Sequence, residues 1–297
     1  MPNNLKTRNS FRSALPWVGS SIFLILLVVV WPAIELIKIS FTKINSAGQL
    51  GGYNGFENFK TLLANPNLPV IAIRTVIWML LVVGITVIVS LPIAQLINQE
   101  FPGRKVVRWA LIVPWAASVV MSSIIWKWIL DLSSGALNLV LTQLGIQSDP
   151  VDWLHDPRFS FYVLVFVAVF VSVPFTSFVL LAGLQSIPAD LSEAASVDGA
   201  SPWQIYRRIK FPLLRNALGI ATIINLINVF NSFPIIWAMT RGGPGYDTDT
   251  TTTFAYKMAF IEYNMGPSTA LGALNFVFIL LVVMLYLRMT KATRLEV

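Results

Sequence analysis

The chain contains no cysteine and a single histidine, His155. Without thiols there is no disulfide framework, no thiolate metal site and no cysteine nucleophile. One imidazole cannot build a histidine metal cluster. Charge is scarce as well: Asp, Glu, Lys and Arg make up 12% of the 297 residues, against about 25% in soluble domains. There is no Gly-x-x-x-x-Gly-Lys-Ser/Thr phosphate loop and no Gly-x-Ser-x-Gly nucleophile elbow. The chain therefore reads as neither an ATPase nor an acyl-transfer enzyme, and more broadly as a protein that is not an enzyme.

What is present is apolar. Hydrophobic residues make up 56% of the chain, and the mean hydropathy is +0.70. Six runs, at 15–37, 70–97, 106–129, 159–184, 213–239 and 270–287, are long enough to cross a bilayer, which takes about 20 residues. Backbone groups in lipid must be satisfied within the segment, so each run is predicted to be a helix. The predicted fold is an all-α polytopic membrane protein with six transmembrane helices. Pro32, Pro92, Pro114, Pro174 and Pro234 mark kinks or span ends. Residues 1–13 read as a polar tail, because the apolar run behind them is too long for a cleaved leader and lacks a small-residue cleavage site. Residues 14–297 read as one transmembrane domain.

The formal net charge is +7, and its distribution gives the topology. With the N-terminus inside, the inner segments carry Lys6, Arg8, Arg12, Arg104, Lys105, Arg108, Arg207, Arg208, Lys210, Arg215, Arg288, Lys291 and Arg294, for a net +8, and the rest of the chain carries −1. This asymmetry predicts that both termini are cytoplasmic. It also accounts for the basic balance without a nucleic-acid partner. Glu35, Arg74 and Lys127 lie near span ends, where long side chains reach water. No ionisable relay sits mid-span, which argues against a stand-alone secondary transporter. On the opposite side, 40–69 is rich in turns, 131–158 carries an apolar segment up to Leu144, and His155 reads as a capping or surface residue.

One polar stretch, 188–212, interrupts the apolar pattern. Pro188 suits a first helical turn, with Asp190 and Glu193 near its positive end. Gly199 suits a left-handed helix stop. Ser201, Pro202 and Gln204 spell a capping box with proline at the first position. Arg207, Arg208 and Lys210 fit a last turn, and Pro212 a stop. In the fifth run Asn225, Asn228, Asn231 and Ser232 share one helix face. Such side chains either line a water-filled path or hydrogen-bond between helices.

The polar stretch resembles the "EAA" loop of membrane subunits of bacterial ABC importers. That pattern is Glu-Ala-Ala, three residues, Gly, nine residues, Ile, one residue, Leu, Pro. Here Glu193-Ala194-Ala195, Gly199, Ile209 and Pro212 stand at those spacings, with Phe211 for the Leu. The Asp198-Gly199-Ala200 form and Thr240-Arg241-Gly242-Gly243-Pro244 resemble the carbohydrate-uptake branch, specifically the first permease subunit of maltose- and glycerol-phosphate-type systems.

The resemblance implies a type I ABC importer fold in a bacterial or archaeal inner membrane. It implies a second homologous permease subunit in a heterodimer, two ATP-binding cassette subunits and an extracytoplasmic solute-binding protein. ATP and Mg would sit on the cassettes, with no cofactor on this chain. Glu193, Ala194, Ala195, Asp198, Gly199 and Ala200 would couple to the ATPase, with Glu193 making a polar contact or cap. Registering on the neighbouring loops implies a substrate path at Ala168, Val171, Ser172 and Phe175 in the fourth span and Asn225, Asn228, Val229 and Ser232 in the fifth. The implied activity is half of an alternating-access path for a sugar or polyol. An importer of a non-sugar solute, such as an amino acid or a glycerol phosphate, is the alternative.

Overall fold

The computed structural model describes residues 18–292, with side-chain surroundings up to Arg288. The tail at 1–13 with Lys6, Arg8 and Arg12, the first residues of the expected first span, and Arg294 and Glu296 lie outside the described residues, as does the Lys291 side chain.

The first apolar run forms α1 (Val18–Ser40). A hairpin of β1 (Thr42–Ile44) and β2 (Leu50–Tyr53) follows, then α2 (Glu57–Leu63). After these come α3 (Leu68–Asn98), α4 (Arg104–Ala116), α5 (Val119–Ile129), α6 (Ala136–Gln143) and α7 (Ser160–Gln185). The polar stretch forms α8 (Ala189–Val197) and α9 (Pro202–Leu213). The chain ends in α10 (Arg215–Phe230), α11 (Phe233–Met239), α12 (Thr251–Phe260) and α13 (Met265–Ala292). The hairpin corrects the all-α expectation: its turn is built by Asn45, whose Oδ1 accepts from the backbone N–H groups of Ala47 and Gln49.

Four helices are long and apolar enough to cross a membrane unbroken: α1, α3, α7 and Met265–Arg288 of α13. The other two expected spans are broken. α4 and α5 meet at 99°, and α9 and α10 at 60°. The break after α4 comes where Ala117 and Ser118 turn extended (ψ 146° and 151°), and Ser118 caps α5 by accepting from the Met121 N–H at 3.1 Å. The expected fifth span also stops early. α10 ends at Phe230, Asn231 and Ser232 leave helical geometry, and Pro234 sits in the first turn of α11, where its missing N–H costs nothing.

The described chain divides into two compact units. The first takes the chain up to Asn65 together with Ala255–Asn275. In it the buried Asn58 amide donates to the carbonyls of Ser40 and Thr42, each at 2.9 Å. Gly266 lies against the same side chain, with no room for a Cβ.

The second unit takes Pro66–Phe254 and the chain from Phe276 on. Its centre is α3 packed along α7, with α10 against both and α5 against α11. Trp78, Val82, Leu164, Val167 and Ile236 are fully buried there. Arg104 and Arg108 both donate to the Ile97 carbonyl at the end of α3. Small residues bring α7 and α10 together: a Cβ on Gly183 would collide with Ala217 and come within 2.9 Å of Leu214 Cδ1. Close backbone approach of this kind drives helix association where lipid supplies no hydrophobic force.

Gly183→Ala should therefore lower the thermal stability of the purified chain by about 1–3 kcal/mol, while Gly84→Ala, in open space on α3, should be close to neutral. Equal melting of the two variants would show that α7 and α10 are not in contact at Gly183. In the loop after α5, hydrogen bonds from the Ser134 backbone and side chain, then from Ser133, hold the Asp131 carboxyl down at about 2 against the ordinary 3.8. Because the folded value is depressed, this turn is complete above the ordinary value and is lost as pH falls through about 2. A carboxyl-carbon NMR titration of Asp131 should give that low midpoint, and an ordinary midpoint would mean that the turn is not formed.

Candidate functional site

The breaks after α4 and after α10 face one cavity of about 470 Å³ within the second unit. Ala168, Val171, Ser172 and Phe175 of α7 line it, as do Asn225, Asn228 and Val229 of α10 and Ser232 of the break. All eight positions expected on a path thus lie around a single space. Six further residues line it: Trp115, Ala117 and Val119 at the first break, and Asn231, Pro234 and Ile235 at the second. Asn231 already belonged to the polar face read from the sequence, and the signals near the first break were Pro114 and Ser118, a good N-cap placed inside an apolar run.

The polar groups divide by partner. Asn225 is buried, and its amide donates to Thr176 Oγ1 and the Ala221 carbonyl, both at 2.8 Å. It ties α10 to α7. Ser232 is also buried, donating to the Val229 carbonyl and accepting from Trp78 Nε1, the latter at 2.9 Å. It ties the second break to α3. Ser172 donates to the Ala168 carbonyl at 2.7 Å, within its own helix. Asn231 donates to the Ile227 carbonyl at 3.0 Å. Asn228 is open to the cavity, and among the described residues its amide has no hydrogen-bond partner. The two sequence alternatives therefore apply to different residues: Asn225 and Ser232 bridge helices, and Asn228 presents its amide to the space.

The lining holds no Asp, Glu, Lys, Arg or His. The rings of Trp115 and Phe175 stack across it at 6.3 Å between centroids and 25° between planes. Such a space can meet a neutral ligand with an apolar face and hydroxyl edges. It cannot pair a phosphate or a carboxylate with a cation.

The polar stretch folds as two capped helices. Pro188 is the N-cap of α8 rather than part of its first turn, and Asp190 is in that turn. Gly199 is left-handed (φ +83°). Its N–H donates to the Ser196 carbonyl, and the Ala200 N–H to the Ala195 carbonyl, the bonding that closes a Schellman motif. Ser201 and Gln204 then form the reciprocal capping box.

Glu193 is exposed. Two expectations are corrected. Arg207, Arg208 and Lys210 occupy a π-helical turn, Tyr206–Lys210, in mid-helix rather than a last turn. Pro212 does not stop the helix. The wider turn, closed by Phe211 N–H on Tyr206 O, lets α9 accept a residue without an N–H and continue to Leu213.

No residue of α8 is buried. Glu193, Ala194, Asp198 and Gly199 are exposed, Ala195 and Ala200 half-buried. Val197 is 89% exposed and Leu191 is exposed beside it, so α8 offers an apolar face the sequence reading did not single out. His155 is exposed with Nδ1 3.0 Å from Asp152 Oδ1, and among the described residues no group of His, Asp and Glu could hold a metal.

The model of one protein family, described as "Binding-protein-dependent transport system inner membrane component", matches residues 87–295. A probable ABC transporter permease protein of Brucella suis is 40% identical over 91% of this chain and 93% of its own length. The trehalose/maltose transport system permease protein MalF of Thermococcus litoralis is 31% identical over 99% of this chain and 100% of its own. Among solved structures, a bacterial ABC transporter for import of the acidic polysaccharide alginate has a chain that superposes with a TM-score of 0.79 at 25% identity, covering 96% of this chain and 98% of that one.

Asn225→Leu should impair folding, seen as a lower melting temperature and loss of monodisperse protein. Asn228→Leu should leave both unchanged. A stability loss of similar size in both variants would show that Asn228 also bridges helices.

Proposed function

The chain belongs to the family of binding-protein-dependent transport system inner membrane components, and from that premise we propose that it is the permease half-path for a neutral sugar or polyol. It is a membrane-spanning subunit of an ABC importer. The single observation that supports the ligand class is the lining of the cavity: amide, hydroxyl and stacked aromatic groups with no ionisable side chain. Hydroxyl-rich ligands satisfy amides with hydrogen bonds and lay ring faces on aromatics, whereas a charged ligand buried there would stay unpaired. The names of the relatives agree on saccharides: one is a permease for trehalose and maltose, while the superposed alginate importer takes an acidic polysaccharide, so the neutral charge is proposed from the cavity lining alone.

In the proposed mechanism a solute-binding protein outside the membrane delivers ligand to this chain and a homologous partner permease. Two ATPase subunits on the cytoplasmic side carry ATP and Mg, and this chain binds neither. Each ATPase grips a helix equivalent to α8, through Glu193, Ala194, Ala195, Asp198, Gly199 and Ala200. The absence of any buried residue in α8 supports this, because an amphipathic helix needs a partner surface to cover its apolar side. Closure on ATP moves α8, and the cavity opens alternately to the two sides. Substrate contacts are assigned to Ser172, Phe175, Asn228 and Val229, with Asn225 and Ser232 holding the wall.

In proteoliposomes, Asn228→Leu should raise the transport KM about fivefold, the scale of one lost neutral hydrogen bond, with coupled ATPase activity retained. Gly199→Asp should insert normally yet lower transport at least about tenfold, because it places a charge at a docking surface. Unchanged transport by an inserted Gly199→Asp subunit would overturn the coupling assignment.

A further inference from the structure

Beyond the capping box, α9 carries a face that neither the cavity nor α8 uses. Trp203, Tyr206 and Phe211 form a continuous ridge, with ring centroids 5.8 and 6.2 Å apart. Trp203 is 66% exposed and Phe211 43%. The π-helical turn makes this ridge possible by bringing Phe211 under Tyr206 at a spacing of five. Arg207 and Lys210 belong to the same turn, and among the described residues neither has an ion-pair partner. Arg208 lines the crevice shared with Asp198 and Gln204 instead.

Leu213, before the 60° bend, and Ile220, on α10 beyond it, are also exposed. There a cleft of about 100 Å³ opens between α10 and α13. Arg215 and Asn216 stand at one end, with Ile220, Ile223 and Leu287 along its walls.

Aromatic rings at the level where an apolar surface ends are typical of a membrane–water boundary. Cations beside them attract anionic headgroups. An apolar slot next to a guanidinium suits an acyl chain below a phosphate. We infer that α9 lies in the cytoplasmic interface of the membrane and, with the α10–α13 cleft, binds an anionic phospholipid. The exposed apolar residues of α10 beyond the bend, and the charges of Arg207 and Lys210, which have no ion-pair partner among the described residues, favour lipid over a protein occupant. Bound lipid anchors α9 at the bilayer surface, so that movement of α8 pivots about a fixed point. The inference rests on the importer reading only for the side of the membrane on which α9 lies.

The chain has no native cysteine, so Leu213→Cys offers a single labelling site next to the ridge. The full chain, with whatever partners co-purify, is placed in nanodiscs with an environment-sensitive fluorophore at that site. Brominated phosphatidylglycerol should quench it at lower mole fraction than brominated phosphatidylcholine, by about fivefold for each contributing cation. Arg207→Gln with Lys210→Gln should abolish the preference, and the charge-preserving exchange Arg207→Lys with Lys210→Arg should keep it.

Equal quenching by the two lipids overturns the inference. So does quenching by aqueous iodide that is relieved on adding the ATPase, which would make this a protein-docking face. Recovery of the ATPase is scored separately. A lipid preference without an ATPase would count against the coupling mechanism and leave the lipid site standing, and an ATPase without a lipid preference would do the reverse.

Discussion

A backbone N–H or C=O in hydrocarbon has no water to turn to, so a helix can be broken inside the membrane only where protein or a water-filled space replaces the lost bonds. This chain breaks its helices inside apolar runs at Ala117–Ser118 and at Asn231–Ser232, and both breaks border the same cavity. The repairs are local. Ser118 caps α5 with its own hydroxyl, and the Val229 carbonyl at the end of α10 accepts from Ser232 and from the Trp78 indole. The position of the cavity follows from where the backbone can afford to be irregular.

The same constraint explains why the polar side chains near the cavity do different work although they share a helix face. Asn225 and Ser232 look into packed helices, where an unpaired amide or hydroxyl costs free energy, and each has found a partner on another helix. Asn228, one turn beyond Asn225, looks into open volume and has none among the described residues. Bridging between helices and facing the cavity thus fall to neighbouring turns of one helix at Asn225 and Asn228.

A second set of hydrogen bonds runs from the exposed loop to that helix. The left-handed Gly199 closes α8, the Ser201–Gln204 box opens α9, and the π-helical turn carries α9 past Pro212 to the bend at Leu214. The Gly199 and π-helical joints are closed by backbone bonds, and the Ser201–Gln204 joint by two reciprocal side-chain bonds. These joints connect α8 through α9 to α10, which lines the cavity. Gly183 lets α10 sit directly on α7, so the two walls of the cavity meet at backbone distance at the end nearest the loop.

Much of this was legible in the amino-acid order. Hydropathy marked six apolar runs, since transfer to lipid depends on composition over about 20 residues rather than on neighbours. Cap chemistry at Ser201, Gln204 and Gly199 was legible because it acts within four residues. The family motif was legible as fixed spacing, and registering on the neighbouring loops gave the positions at 168–175 and 225–232 that line the cavity. What the order did not reveal were the geometry of the breaks, the π-helical turn and the partners of the asparagines. Proline marked kinks or span ends at Pro114 and Pro234, and the chain breaks beside both, whereas the stop expected at Pro212 is absorbed in a wider turn. Whether an amide bridges or stays free depends on which helix stands opposite it. Thr176 faces Asn225 across 49 residues of sequence, and no local pattern encodes that meeting. Local chemistry determined the elements and their caps; only the packing of α3, α7 and α10 decided which polar groups would be satisfied and which would be left facing the cavity.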